Sequence, residues 1–249
     1  MEKTILKIKD LGKTYHTKTN ETLAVDNFSL EVKDGEFIAI VGPSGCGKST
    51  ILNILADLDT LSKGEIILDK NIKIGYMLQQ DALFNWRTVL DNCLLGLEIN
   101  NNLNDKTKEY VLNLINTYGL GEFKNNYPNT LSGGMRQRVA LIRTLATEPK
   151  ILLLDEPFSA LDYQTRLAVS DDVYNIIKQE KKTAIMVTHD IAEAISMADR
   201  VIVLTKRPSK IKTIVDIKLT DKKNPIANRK AKEFPLYYDL LWKEIDHHV

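Results

Sequence analysis

Short apolar runs alternate along the chain with longer stretches in which apolar positions recur every three to four residues. The runs predict strands near 4–9, 36–41, 65–68, 72–78, 150–154, 183–188, 200–205 and 211–218. The longer period predicts helices near 48–56, 163–180 and 191–197. Strands that alternate with helices argue for an α/β sheet with a largely parallel core. The runs 36–41, 150–154 and 183–188 are apolar nearly throughout, as strands covered on both faces must be, so they should be central. Between about 86 and 147 the pattern changes. Helices near 88–97, 105–118 and 134–147 follow one another with no convincing strand between them, which reads as a helical subdomain set into the α/β body. Residues 1–249 then form a single domain with an α/β core of 1–85 and 148–205, a helical subdomain of 86–147 and a short C-terminal extension, 206–249. The extension is too short for a separate ligand-sensing domain.

Composition narrows the function. The chain has 249 residues, 43% hydrophobic and 27% charged, enough for a full core. With 34 basic and 33 acidic residues the net charge is +1, so no global field favours nucleic acid or an anionic bilayer. Nucleic acid is not an expected partner, and any membrane attachment has to come through a protein. Apolar runs such as Ile151 to Leu154 fall far short of the ~20 residues of a spanning helix. Met1-Glu2-Lys3 opens no apolar signal segment, so a cytosolic location is expected. Cys46 and Cys93 make neither a disulfide framework nor a metal cluster, in keeping with a reducing compartment.

Chemistry enters with Gly42-Pro43-Ser44-Gly45-Cys46-Gly47-Lys48-Ser49-Thr50, directly after the run Phe37 to Val41 and opening a helix. The glycines let the backbone curl so that successive N–H groups point at one spot, and the helix adds its positive end. Such a loop cradles a polyphosphate. Lys48 supplies a point charge for the β- and γ-phosphates, and the Ser49 hydroxyl suits the Mg²⁺ that bridges them. A nucleotide triphosphatase is the reading that follows. Cys46 stands inside the loop; if it is exposed in the empty site, a thiol reagent should block ATPase and Mg-ATP should protect.

Ile151-Leu152-Leu153-Leu154-Asp155-Glu156 is an apolar strand ending in two carboxylates, in the manner of a Walker B strand. Ligands of open α/β sheets bind beyond the carboxyl ends of the strands, so Asp155 can hold Mg²⁺ and Glu156 can orient or deprotonate the attacking water. Leu131-Ser132-Gly133-Gly134-Met135-Arg136-Gln137 opens another helix. Ser132 is a natural N-cap and the glycines leave N–H groups bare, so this is either a plain helix start or a second anion site.

Together these segments resemble the ATP-binding subunits of ATP-binding cassette (ABC) transporters, whose signature is Leu-Ser-Gly-Gly-Gln or a close variant. The resemblance spans nearly the whole chain. It implies a P-loop NTPase ABC cassette with a mostly parallel core sheet, an antiparallel β region and an inserted helical subdomain. It also implies a homodimer in which each ATP lies between the phosphate loop of one copy and Ser132, Gly133 and Gly134 of the other. Met135 stands where many members carry Gln, a variant similar to importers of the nitrate, sulfonate and taurine group. The partners implied are multi-span permease subunits and, indirectly, an extracytoplasmic substrate-binding protein, with the chain peripheral on the cytoplasmic face of the membrane. A soluble ABC ATPase of a non-transport assembly is the alternative.

Further residues map onto the resemblance one at a time. Tyr15 resembles the aromatic that stacks on adenine, or is an ordinary strand-end tyrosine. Gln79 resembles the glutamine that joins Mg²⁺ and the lytic water to the transporter contact, with Gln80 as its immediate competitor. Asp162, in Ser159-Ala160-Leu161-Asp162, resembles the loop residue that crosses the dimer, and can equally cap the next helix. His189 resembles the switch histidine at the γ-phosphate. The catalytic set implied is Glu156, His189, Lys48 and Gln79, with Ser49, Gln79 and Asp155 toward Mg²⁺. Asp57 replaces a usual glycine after the first helix, and Asn85 a usual proline or arginine before Trp86. Leu83, Phe84 and Trp86 are either core or lining of a groove for a permease helix. The segment Lys206 to Ile211 is also similar to the importer group.

Overall fold

The computed structural model describes residues 3–246. Its main sheet has six strands in the order β5-β6-β7-β3-β8-β9. These are β3 (Phe37–Val41), β5 (Ile74–Met77), β6 (Ile151–Asp155), β7 (Thr183–Val187), β8 (Arg200–Leu204) and β9 (Ile211–Asp216). All pair in parallel except β9, which runs antiparallel to β8. The three strands that the apolar pattern makes central, β3, β6 and β7, lie inside the sheet, as does β8. Every residue of each is buried.

The two faces of this sheet carry different cores. Ile38, Ile40, Leu153, Ile185 and Val187 pack with helix α1 (Lys48–Leu55) and the second sheet. Their neighbours Phe37, Ala39, Val41, Leu152, Leu154 and Met186 point the other way, into the larger core. Alternate side chains leave opposite faces of a strand, so a strand covered on both sides is apolar through its middle, and the polar residues of β6 and β7, Asp155 and Thr183, stand at strand ends.

The second sheet is antiparallel, β2-β1-β4, from β1 (Thr4–His16), β2 (Glu21–Lys33) and β4 (Lys63–Leu68). Two features of it differ from the pattern expectation. Strand β1 continues past Lys9 to His16, and β2 is not singled out by the apolar pattern at all. The cause is bulging: the β1–β2 register slips between Ile8 and Leu11, and Asp10 and Asn27 take left-handed φ values of 47° and 57°. A slip resets the alternation before Phe28, and from there Phe28, Leu30 and Val32 keep period 2 with all three buried, a strand signal that a search for continuous apolar runs passes over.

Between β5 and β6 lie α2 (Val89–Ile99), α3 (Asp105–Thr117) and α4 (Gly133–Leu145). Thr88 and Asn104 cap the first two through capping boxes. Their buried residues, among them Cys93, Val111, Val139 and Leu141, belong to the larger core. Helices α5 (Tyr163–Gln179) and α6 (Ile191–Met197) cover the same face, with α7 (Pro225–Asn228) and α8 (Phe234–Asp246) following β9. Asp57 lies just past α1 with φ 58°, the left-handed position where glycine is the unstrained choice.

Candidate functional site

Strand β3 delivers the chain into the Gly-rich loop, and two glycines there have left-handed backbones, Gly45 at φ 69° and Gly47 at φ 118°. Gly47 is also the N-cap of α1, and a Cβ on it would stand 3.3 Å from the Ala24 carbonyl and 3.2 Å from Ser209 Oγ. Only a residue without a side chain turns the strand into the helix here. Lys48 is buried, and its Nζ donates to the carbonyls of Gly42 (2.9 Å) and Pro43 (3.1 Å). Two of its three N–H groups pin the ammonium across the loop, and one remains for a ligand.

A cleft of about 400 Å³ opens at this loop, lined by Ser44, Gly45 and Gly47 to Thr50 together with Gln79, Glu156 and Arg207. Ser49 Oγ donates to Asp155 Oδ1 at 3.1 Å, and the Tyr76 hydroxyl lies 3.2 Å from Asp155 Oδ2. Burial pushes the Asp155 carboxyl above its ordinary range, against the hydrogen bonds of Ser49 and Tyr76. A cation beside it would relieve that penalty, and hydroxyl, carboxylate and amide oxygens are the hard donors Mg²⁺ takes. Among the described residues no cluster of three or more His, Cys, Asp or Glu side chains could hold a metal. Mg²⁺ keeps waters and phosphate oxygens in its shell, so a few protein donors suffice.

Glu156 follows β6 in a left-handed conformation, φ 44°, held by its N–H on the Val187 carbonyl (2.9 Å) and by Ser159 Oγ donating to the Glu156 carbonyl (3.0 Å). A non-glycine residue there stores backbone strain, about 1–2 kcal/mol. Its Oε2 lies 3.1 Å from His189 Nδ1 and 3.5 Å from Gln79 Nε2. Gln79 Nε2 is also 3.5 Å from Ser159 Oγ. Of the two competing glutamines, Gln79 is the one that lines the cleft.

Other expected residues lie elsewhere. Ser132 caps α4 by accepting from Met135 N at 3.3 Å, and neither it nor Gly133 or Gly134 lines the cleft. Gly134 is buried, and a Cβ on it would come within 2.7 Å of Val169 on α5, so this glycine lets α4 approach α5. Asp162 caps α5 through Thr165 N (3.1 Å). The Tyr15 hydroxyl donates to Asp59 Oδ2 at 2.8 Å and lies 3.4 Å from Thr50 Oγ1, with Lys13 Nζ over its ring. Leu83, Phe84 and Trp86 divide between the two readings: Leu83 is core, whereas Trp86 is 74% exposed and stacks on the half-buried Phe84 at 4.7 Å.

The condition of exposure set for Cys46 is not met. Cys46 is only 2% exposed, packed in the core that includes Ile51 and Leu52 rather than lining the cleft, and burial raises its thiol pKa. Three contributors are given no role at the site by the sequence. Arg207 Nη2 donates to the Gly45 carbonyl at 2.7 Å and lines the cleft. Tyr76 buttresses Asp155, and Arg143 donates to the carbonyls of Asp81 (2.6 Å) and Ala82 (2.7 Å), tying the segment after Gln79 to α4. A lone arginine or tyrosine gives no signal in sequence when its partner is fixed only by the fold.

A largely parallel sheet, a Gly-rich loop at the carboxyl end of the central strand β3, and two carboxylates at the carboxyl end of β6, one strand removed across β7, define a nucleotide triphosphatase of the phosphate-loop class. The family model described as "ABC transporter" matches residues 25–159. An uncharacterised ABC transporter ATP-binding protein, YtlC of Bacillus subtilis (strain 168), is 42% identical over 248 residues, 97% of this chain and 95% of that protein. The aliphatic sulfonates import ATP-binding protein SsuB of Bacillus cereus is 40% identical over 219 residues, 85% of this chain and 86% of that one. Among solved structures, the dimeric post-hydrolysis state of the ATP-binding cassette MJ0796 bound to ADP and Pi has a TM-score of 0.72 at 34% identity, covering 86% of this chain and 99% of that one. The chain belongs to the ABC transporter family. It is an ATP-binding subunit of that family and an ATPase, and the expected resemblance to the sulfonate-importer group holds.

Proposed function

We propose that this chain is the ATP-hydrolysing subunit of an importer and works as a homodimer with two composite sites. Glu156, the general base, orients and deprotonates the attacking water; His189 and Gln79 fix its carboxylate. Lys48, the bare N–H groups of the loop and Arg207 stabilise charge on the transferring phosphoryl group. Ser49, Asp155 and Gln79 would hold Mg²⁺, which would neutralise phosphate charge when bound. Tyr15 offers its half-exposed ring to the base of the nucleotide.

The observation that carries the dimer is the separation of the two anion-binding helix starts: Ser132, Gly133 and Gly134 are not part of the cleft formed by their own phosphate loop. A second copy turned head to tail brings them to it. The MJ0796 cassette, dimeric when bound to ADP and Pi, supports pairing of two copies. No helix among the described residues is long and apolar enough to cross a membrane, so attachment at the cytoplasmic face falls to permease subunits. Trp86, exposed and stacked on Phe84 beyond Gln79, offers them an apolar contact.

Uptake of a sulfonate-type anion, of the nitrate, sulfonate and taurine group, is the transport reading that the SsuB relatives support. The test is reconstitution of the chain with a candidate permease in liposomes, with ATPase measured against binding protein loaded with each anion. Stimulation by a loaded binding protein, lost in Trp86→Ala, is expected. An ATPase rate indifferent to every permease would point to the non-transport alternative.

A further inference from the structure

Arg166 lies in the first turn of α5, between the loop that ends at Asp162 and the loop that carries His189. Its Nη2 donates to the Leu161 carbonyl at 3.1 Å, its Nη1 is 3.5 Å from Asp190 Oδ2, and its Nε is 3.8 Å from Glu193 Oε1. Both carboxylates grip the histidine loop. Thr188 Oγ1 donates to Glu193 Oε2 at 2.7 Å, Asp190 N donates to Thr188 Oγ1 at 3.0 Å, and Glu193 N donates to Asp190 Oδ1 at 3.1 Å. The residues on either side of His189 are therefore closed into a ring of hydrogen bonds, and that ring faces one guanidinium on the neighbouring helix.

Two carboxylates this close need a counter-charge. Arg166 supplies it from α5, and Arg229, after α7, adds to it from the C-terminal extension. The extension also braces both helices: Asn228 Nδ2 donates to the Ser196 carbonyl at 2.7 Å, and Ile226 N to Asp171 Oδ1 at 3.1 Å. Through these bonds α7 bridges α5 and α6 independently of Arg166. The Arg166 Nε is buried and makes no hydrogen bond among the described residues, with Glu193 Oε1 3.8 Å away.

We propose that Arg166 is a positioning residue: its guanidinium ties the Ser159–Asp162 loop to the Thr188–Asp190 loop and thereby sets where the His189 imidazole meets Glu156. The inference rests on the reading of His189 as part of the hydrolytic site. Movement of the partner-facing loop is then felt at the histidine of the same chain.

The experiment compares Arg166→Met, which keeps length without charge, and Arg166→Lys, which keeps charge without the fork. Steady-state ATPase is measured beside the imidazole resonances of histidine-labelled protein, with the His189 signals assigned by their loss in His189→Gln. The expected result is a KM for Mg-ATP within about twofold, kcat lowered about tenfold in the Met variant and less in the Lys variant, and His189 signals displaced while those of His16 hold. A folded Met variant with native kcat, or a lowered kcat with the His189 signals unmoved, would overturn the proposal. If the Met variant does not fold, the Lys variant is held to the same two criteria. A wild-type chain without ATPase activity would strike the reading of the site instead, and the resonances would still decide whether Arg166 governs His189.

Discussion

Glu156 Oε2 stands 3.1 Å from His189 Nδ1, and the backbones of the two residues leave adjacent central strands that pair Asp155 with Val187. One register therefore fixes two side chains that lie 33 positions apart. Glu156→Gln keeps the shape and removes the base. ATP turnover is expected to fall about 10²–10⁴-fold with little change in ATP affinity, measured by phosphate release beside equilibrium binding of a fluorescent ATP analogue. A rate within a few-fold of native would assign the base elsewhere.

The two cysteines should be silent in the folded protein. Cys46 and Cys93 are both buried, and burial pushes the Cys93 thiol up to about 12. Only the thiolate reacts, so an aromatic disulfide reagent at neutral pH is expected to titrate neither until denaturant is added, and then both. A fast-reacting thiol that Mg-ATP slows would place Cys46 back in the cleft.

Arg207 braces the phosphate loop through the Gly45 carbonyl and adds a charge at the cleft. Arg207→Ala is expected to weaken ATP binding about three- to tenfold, near 1 kcal/mol for an exposed charge-assisted contact, and to leave the melting temperature almost unchanged. Isothermal titration against Mg-ATP with a non-hydrolysing variant reads it. Unaltered affinity would leave Arg207 only a loop contact.

Glu193 gives a pH dependence with a definite sign. Burial, with the charge of Asp190, raises its carboxyl from 4.5 to about 7. The folded chain then holds more protons than the unfolded one between those values, so this contribution is complete below about pH 4.5 and is lost as pH rises through 7. Glu193→Gln removes it. Relative to wild type, the variant should gain on the order of 3 kcal/mol between pH 5 and pH 8, read from urea unfolding at both. Parallel profiles would contradict the raised carboxyl.

Much of this was legible in the sequence because it is local. The loop from Gly42 to Thr50 and the strand Ile151 to Glu156 each carry their chemistry within a few residues, and uninterrupted apolar runs marked β3, β6 and β7 as central. What escaped depends on contacts across the chain. Arg207 reaches Gly45 over 162 positions, and Tyr76 reaches Asp155 over 79. Strand β2 escaped because it has no continuous apolar run: its buried residues Phe28, Leu30 and Val32 alternate with polar ones, and a bulge at Asn27 shifts that alternation from the buried Ala24 and Val25. Leu83 and Trp86, so close in sequence, differ because the turn between them puts one inside and the other out.

The most direct test is size-exclusion chromatography with light scattering of Glu156→Gln in saturating Mg-ATP, set against the same protein without nucleotide. Two chains clasping two nucleotides should run as a dimer of 28.2 kDa subunits with ATP and as a monomer without it. A variant that binds ATP yet stays monomeric would contradict the composite site.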